Sequence, residues 1–331
     1  MRDRKTREIF QKIQYNSFSP RAERLVGRKL ISRSGVVFDP RWLCRTTYKN
    51  PIVALKAIMI SLSSFIRRGV SPVEPQTQFG FIHSIWTNGY YHWLTECLPR
   101  ALVMRREFPE AVPLLPEGNY KSFAATLECL GFGRVEFFPD GRNVLVHAPV
   151  VTDCARAFAT TDPALLREVR QRVSDYLGPS PLPAATRIVY VSRAKARGRR
   201  VINEAQVIEV MRGFGAEILC FEDFDFFEQV RIMAQTKILV SIHGAGLTNM
   251  MFMPEGGKVV EILPRKNGIF EYNHVRNSFR HDPCYVRLAG AMGHEYRYLL
   301  AKPRIRFYQK THMADISVNA DRLHALMVSL T

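Results

Sequence analysis

The stretch Ser241–Leu263, SIHGAGLTNMMFMPEGGKVVEIL, decides how the second half of this chain is read. The apolar run KILVSI leads into it and KVVEIL closes it, with a His-Gly-Ala-Gly turn and the segment LTNMMFM between them. Short apolar runs bounded by turn residues read as buried strands, and the middle segment reads as a short helix. Gly244 and Gly246 let backbone amides approach a ligand closely. A helix starting near Leu247 would aim its free N–H groups and positive dipole end at an anion. His243, Thr248 and Asn249 add side-chain donors. Asn249 stands where GxGxxG would want a glycine, so a dinucleotide site is weakly supported. Ser241 precedes the turn instead of forming its apex, so a hydrolase nucleophile elbow is weaker still. A tight strand–helix turn with a packed histidine is the plain structural alternative.

Two further features bear on this turn. Glu261 lies in the middle of KVVEILP, where a carboxylate is costly unless it has a partner. In a nucleotide site it can grip ribose hydroxyls; at an exposed strand end it needs no such role. Upstream, the strand RIVYVSR runs into AKARGRR, which places Arg193, Lys195, Arg197, Arg199 and Arg200 after a strand end. Arginines there can bind a diphosphate bidentately, although a basic loop is often only solvated.

Working outward, NEAQVIEVMRGFG reads as a helix capped by Asn203 and ended by Gly215, AEILCFE as a strand and FDFFEQVRIMAQ as a helix. Four apolar strands joined by helices make a parallel, doubly wound sheet whose ligands bind beyond the strand C-termini. The triplet Asp223–Asp225 is better explained as a helix N-cap than as a metal site. GPSPLPAAT, residues 178–186, reads as a linker. Before it comes a second alternation. FGFIHSIW, AVPLLP, RVEFFP and VLVHAPVVT read as strands. YYHWLTECLPRALVMRREF, YKSFAATLECLGFG and PALLREVRQRVSDYLGP read as helices, with Pro99 kinking or restarting the first. In that first helix His92 and Glu96 fall four residues apart on one face, a pair that can serve as a general base or as a structural contact. NADRLHALMVSL reads as a C-terminal amphipathic helix.

Composition narrows the class. The 331 residues are 47% hydrophobic and 23% charged, with net charge +17. That fits a globular protein of about two domains whose surface favours anionic partners. Six scattered cysteines include no CxxC pair, so neither a zinc site nor a disulfide framework is indicated. The basic N-terminus has no apolar core of a signal peptide. The apolar segment 52–65, interrupted by Lys56, is too short to span a bilayer and reads as a buried helix, with a membrane-surface helix as second reading.

Taken together, NGYYHWLTECLPR, YVSRAKARGRRVINEAQVIEVM and VSIHGAGLTNMMFMPEGGKVVEILP, in that order across residues 79–264, resemble glycosyltransferase family 61. The resemblance implies an α/β fold of GT-B type, with two Rossmann-like domains facing across a cleft. Residues 1–180 would form the acceptor-side domain, within which 1–75 carry no clean periodic signal. Residues 181–310 would form the nucleotide-sugar-binding domain, and a helix in 311–331 would pack back on the first. It further implies an inverting transferase that needs no metal or other cofactor and uses a nucleotide-sugar donor, UDP-linked in the favoured case. The acceptor would be a hydroxyl of a glycan or lipid-linked glycan. The donor site carried over is Arg193, Arg200, His243, Gly244, Ala245, Gly246, Thr248, Asn249 and Glu261, with Glu96 and His92 as catalytic candidates. The expected setting is bacterial surface-polysaccharide or capsule synthesis, cytoplasmic, with peripheral contact to an anionic membrane and no nucleic acid. A basic nucleic-acid-binding protein or a non-catalytic nucleotide-binding protein is the alternative.

Overall fold

The computed structural model describes residues 17–304 and 314–331, apart from 40, 44, 48–50, 72, 155–159, 179–184, 197, 265–271, 274–277 and 280–283. Most of the linker, Cys44 and Arg197 therefore lie outside the described residues. The chain divides into two compact units, residues 16–179 and residues 180–331, the second also counting 1–15.

The first unit is mixed α/β. Its five-stranded sheet comprises Ala22–Arg24 (β1), Phe79–Phe81 (β2), Val112–Pro116 (β3), Glu136–Phe138 (β4) and Val150–Thr152 (β5), in the order β1-β5-β2-β3-β4. All neighbours are parallel except β1 and β5. A three-stranded sheet of residues 28–31, 143–147 and 70–71 lies beside it in sequence but not in hydrogen bonding. The run VLVHAPVVT is thus two strands in two sheets, not one. Ala148 breaks it with φ of 46°, a left-handed turn that ends the ladder. Phe79, Phe81, Leu114, Phe138, Val144, Val146 and Val151 fill the shared core.

Helix Pro51–Arg68 (α1) corrects the buried-helix expectation. Only Ala54, Ala57 and Ser61 of its described side chains are buried, and Ile52, Leu55, Met59, Leu62, Phe65 and Ile66 are exposed. The first predicted helix of the motif region also divides. A short turn at Tyr90–His92 widens into a π-helical turn at Trp93–Cys97, and Leu98–Glu107 (α2) restarts as an α-helix with Pro99 in its first turn. Proline lacks an N–H that the first turn would leave unused. Trp93, Leu94, Leu98 and Leu102 form the expected buried face.

The second unit is a six-stranded sheet. Its strands are Arg187–Val191 (β6), Glu217–Leu219 (β7), Thr236–Ile242 (β8), Lys258–Pro264 (β9), Glu295–Arg304 (β10) and Asp315–Ser317 (β11), in the order β7-β6-β8-β9-β10-β11. The first five are parallel and β11 is antiparallel. Helices Glu204–Gly213 (α3) and Phe226–Ala234 (α4) connect the early strands, and Cys284–Ala291 (α5) precedes β10. The centres of β6, β8 and β9 are buried on both faces, which is why they read as unbroken Val/Ile/Leu runs. Strand order reverses between β6 and β8, the first and third strands of the unit. The crevice beyond their C-termini is where open α/β sheets take ligands.

One local expectation changes, and the helix N-cap expected in the DFD triplet is present. Asn203 precedes α3 but its side chain does not cap it; it bonds the Val318 backbone and Gln206 instead. Of the DFD triplet, Asp225 makes a capping box with Glu228, while Asp223 pairs with Lys195. The C-terminal helix Ala320–Val328 (α6) buries Leu323 and Met327 in the core of its own unit, together with Tyr190, Val207 and Met211. No helix of the described residues is long and apolar enough to cross a membrane.

Candidate functional site

The site is built at the strand-order reversal. β6 and β8 pair with Val191 opposite Ser241, so the loops that follow them leave from one sheet edge. The Ser241 hydroxyl donates to the Val191 carbonyl at 3.0 Å and ties the two strand ends. The first loop delivers Arg193 and Arg199, and the second delivers His243 and Gly244.

Arg193 is half-buried against this turn. Its Nη2 donates to the Gly198 carbonyl at 3.3 Å, and its buried Nε has no hydrogen-bond partner among the described residues. Burial, and then the neighbouring Arg199, hold its pKa below the usual guanidinium value. A buried donor left unpaired is costly, and an incoming anion would satisfy it. Gly244 explains the close approach. Its φ of 174° is extended backbone open to any residue, but a Cβ there would stand 2.7 Å from Arg193 Nη1. The glycine clears space for the guanidinium. Arg199, at φ 57°, donates Nη1 to the His243 carbonyl at 3.3 Å.

His243 is held from behind. Its Nδ1 lies 2.5 Å from Glu261 Oε1, and Glu261 Oε2 accepts the Tyr296 hydroxyl at 2.5 Å. An ionised carboxylate only accepts, so Nδ1–H is the donor and Nε2 is left for a ligand. Tyr285 packs edge-on against the imidazole, with ring centroids 5.2 Å apart. Burial and the Glu261 charge keep the Tyr296 phenol protonated far above its ordinary range. Burial, Cys284 and Glu261 do the same for Tyr285.

Not every predicted site residue faces outward. Glu261 is 3% exposed with both oxygens engaged, so it supports His243 and is not open to ribose hydroxyls. Thr248 and Asn249 are fully buried, and Asn249 donates to Gln229 Oε1 at 2.7 Å. Arg200 turns away, with Nε on the Ala196 carbonyl and its backbone N–H on Asp315. Ala245 and Gly246 stay partly exposed at the start of the segment Ala245–Phe252, which is a 3₁₀ helix instead of an α-helix. Arg199, Tyr285 and Tyr296 are the additions. Arg199 lay in the cationic loop, but neither tyrosine sits near a motif.

In the first unit, His92 Nδ1 lies 2.6 Å from Glu96 Oε1. The imidazole is bracketed by Trp86 and Tyr91, at ring distances of 5.8 Å and 5.2 Å. The His92 and Glu96 side chains are partly exposed, at 29% and 16%. The same logic puts Nδ1–H on the carboxylate and leaves Nε2 as the free basic nitrogen. The structure thus brings Arg193, Arg199, His243, Gly244 and Glu261 together in one unit, and His92 with Glu96 in the other.

The family model described as Glycosyltransferase 61 matches residues 90–260, just over half of the chain. Among curated proteins, a mouse protein O-linked-mannose beta-1,4-N-acetylglucosaminyltransferase 2 is 30% identical over 122 residues, 36% of this chain and 19% of the relative. A Drosophila melanogaster EGF domain-specific O-linked N-acetylglucosamine transferase is 31% identical over 115 residues, 34% of this chain and 19% of the relative. The Bos taurus protein of the same name is 23% identical over 187 residues, 54% of this chain and 32% of the relative. The matched region therefore spans about a fifth to a third of these relatives.

Proposed function

The chain belongs to glycosyltransferase family 61, and from that premise we propose that it transfers a sugar from a nucleotide-sugar donor to a hydroxyl of a glycan or lipid-linked glycan. A UDP-linked donor is favoured. Because two relatives bear the names of N-acetylglucosamine transferases, UDP-N-acetylglucosamine is the first donor to try. The proposal includes the GT-B type of arrangement, inverting chemistry without a metal, and peripheral contact with an anionic membrane during surface-polysaccharide or capsule assembly in a bacterial cytoplasm. The relatives do not favour the nucleic-acid-binding alternative.

One observation carries the reading. Arg193, whose buried Nε has no partner among the described residues, Arg199 and the His243 imidazole converge where the strand order reverses, the place and the chemistry a diphosphate requires.

In the mechanism, His92 Nε2 takes the proton of the acceptor hydroxyl, and Glu96 stabilises the imidazolium that forms. The acceptor oxygen attacks the anomeric carbon from the face opposite the nucleotide. The bond from that carbon to the diphosphate oxygen breaks, and its electron pair leaves with the nucleoside diphosphate. Arg193 and Arg199 stabilise this developing charge through donors already in place, and His243 joins them when its Nε2 also carries a proton, with Glu261 balancing the imidazolium. Of the donor residues carried over by resemblance, Gly244, Ala245 and Gly246 offer backbone. Glu261, Thr248 and Asn249 support from beneath.

The test is calorimetric titration of the whole chain with UDP, GDP, CMP and dTDP, with and without EDTA. Saturable UDP binding that ignores EDTA and is lost in Arg193→Ala and His243→Ala is expected. Absence of any nucleotide binding, or its abolition by EDTA, overturns the proposal.

A further inference from the structure

Helix α1, Pro51–Arg68, is built inside out. The described side chains it buries are small, Ala54, Ala57 and Ser61, spaced on one face. The opposite face carries Ile52, Leu55, Met59, Leu62 and Ile66, between 57% and 75% exposed. Steps of three and four residues align these five in a single stripe along the helix. Exposed apolar side chains scattered singly are ordinary, but a continuous stripe on the order of several hundred Å² marks a contact surface.

The charges around the stripe say what covers it. The helix contains no Asp or Glu. Lys56 and Arg67, both exposed, fall together along one flank of the stripe. The chain as a whole carries +17. A matching surface is apolar inside and anionic at its rim. The helix is also fixed to its unit, with Asn143 Nδ2 donating to the Ser61 carbonyl at 3.0 Å and Arg68 Nη1 to the Asp140 carbonyl at 3.1 Å. It presents the stripe in one orientation, and its 18 residues give a flat face about 27 Å long.

We propose that α1 lies in the plane of an anionic lipid bilayer. The stripe enters the boundary between headgroups and acyl chains, and Lys56 and Arg67 extend to lipid phosphates. This gives the general membrane contact of the proposed function a definite surface. It stands independently of the transferase reading, because lipid binding is measured without nucleotide or acceptor.

The experiment is co-sedimentation of the full chain with phosphatidylcholine vesicles and with vesicles about one third phosphatidylglycerol. Binding roughly tenfold tighter to the anionic vesicles is expected. A Leu55→Gln/Met59→Gln/Ile66→Gln variant loses binding to both while keeping its circular dichroism and melting temperature. Lys56→Glu/Arg67→Glu loses only the preference for anionic lipid. Failure of the parent to bind vesicles, or parent-like binding by the glutamine variant, overturns the proposal. So does a concentration-dependent dimer abolished by the glutamines, which would assign the stripe to a second copy. A fall of several degrees in melting temperature would assign it to another part of this chain and overturn it equally.

Discussion

His243 Nδ1 and Glu261 Oε1 stand 2.5 Å apart, and the second oxygen of the same carboxylate is taken by Tyr296. The buried acid should therefore act through the histidine. Glu261→Gln keeps the shape but removes the charge that orients Nδ1–H. We expect the affinity for UDP to fall roughly tenfold, in line with the loss of a charge-assisted hydrogen bond. Inorganic pyrophosphate distinguishes the mechanisms. It has no ribose, so a parallel loss of pyrophosphate affinity supports action through His243. An unchanged pyrophosphate affinity would return Glu261 to direct contact with the sugar.

Arg193 should be stabilising only when its ligand is present. Arg193→Met replaces a half-buried, partly unpaired cation by an apolar chain of similar length. The nucleotide-free protein should gain about 1 kcal/mol, by removal of an unsatisfied buried donor, and lose nucleotide binding. Denaturant melts with and without UDP read both effects. A variant less stable than the parent without UDP would show that the guanidinium is structural.

Gly244 makes a sharper claim about the same contact. Gly244→Ala puts a methyl 2.7 Å from Arg193 Nη1, at the flexible end of a side chain in a backbone conformation alanine accepts. The fold should survive with a melting temperature close to the parent's, while the displaced guanidinium weakens UDP binding roughly tenfold. Unchanged binding would remove Arg193 from the donor site.

Strands β6, β8 and β9 are legible in the sequence because burial on both faces leaves unbroken apolar runs. The turn after β8 is legible because two glycines follow a strand end. What these residues touch is not legible. Tyr296 reaches Glu261 from a strand 35 residues away, and Asn203 answers to Val318 across 115 residues. Neither partner carries a local signal. Hydropathy finds the apolar segment of α1 but not the direction in which its large side chains face. That is set by small residues packing against the unit, with Asn143 holding Ser61. Thr248 and Asn249 look like ligand donors in a linear motif. The 3₁₀ geometry of Ala245–Phe252 turns them inward instead.

The two members of the His92–Glu96 pair should separate in kinetics. With His92 as base, His92→Ala should lower turnover on the order of a thousandfold. Glu96→Gln, which only weakens support of the imidazolium, should lower it less, about a hundredfold. UDP affinity should stay within about twofold in both variants, since neither is assigned to donor binding. Near-normal turnover in His92→Ala with a collapse in Glu96→Gln would make the glutamate itself the base.

His83 should make the fold acid-labile. The ring is 2% exposed, among Phe81, Tyr120 and Phe138 at centroid distances of 6.0, 5.8 and 6.1 Å. Burial, reinforced by the nearby Arg100 charge, pulls its pKa from 6.5 down to about 3. The unfolded chain therefore takes up this proton as pH falls through 6.5, and the folded chain does so only near 3. The stability tied to the neutral ring is present above 6.5 and is lost progressively between those values. At pH 5 the loss is about 2 kcal/mol relative to pH 7. His83→Phe keeps an aromatic ring and removes the titration. Any packing penalty in the variant acts at both pH values and cancels when its stability at pH 7 is compared with that at pH 5. Urea midpoints should therefore fall less in the variant than in the parent, by about that amount. Equal falls would show that His83 contributes nothing to acid unfolding, leaving the carboxylates to account for all of it.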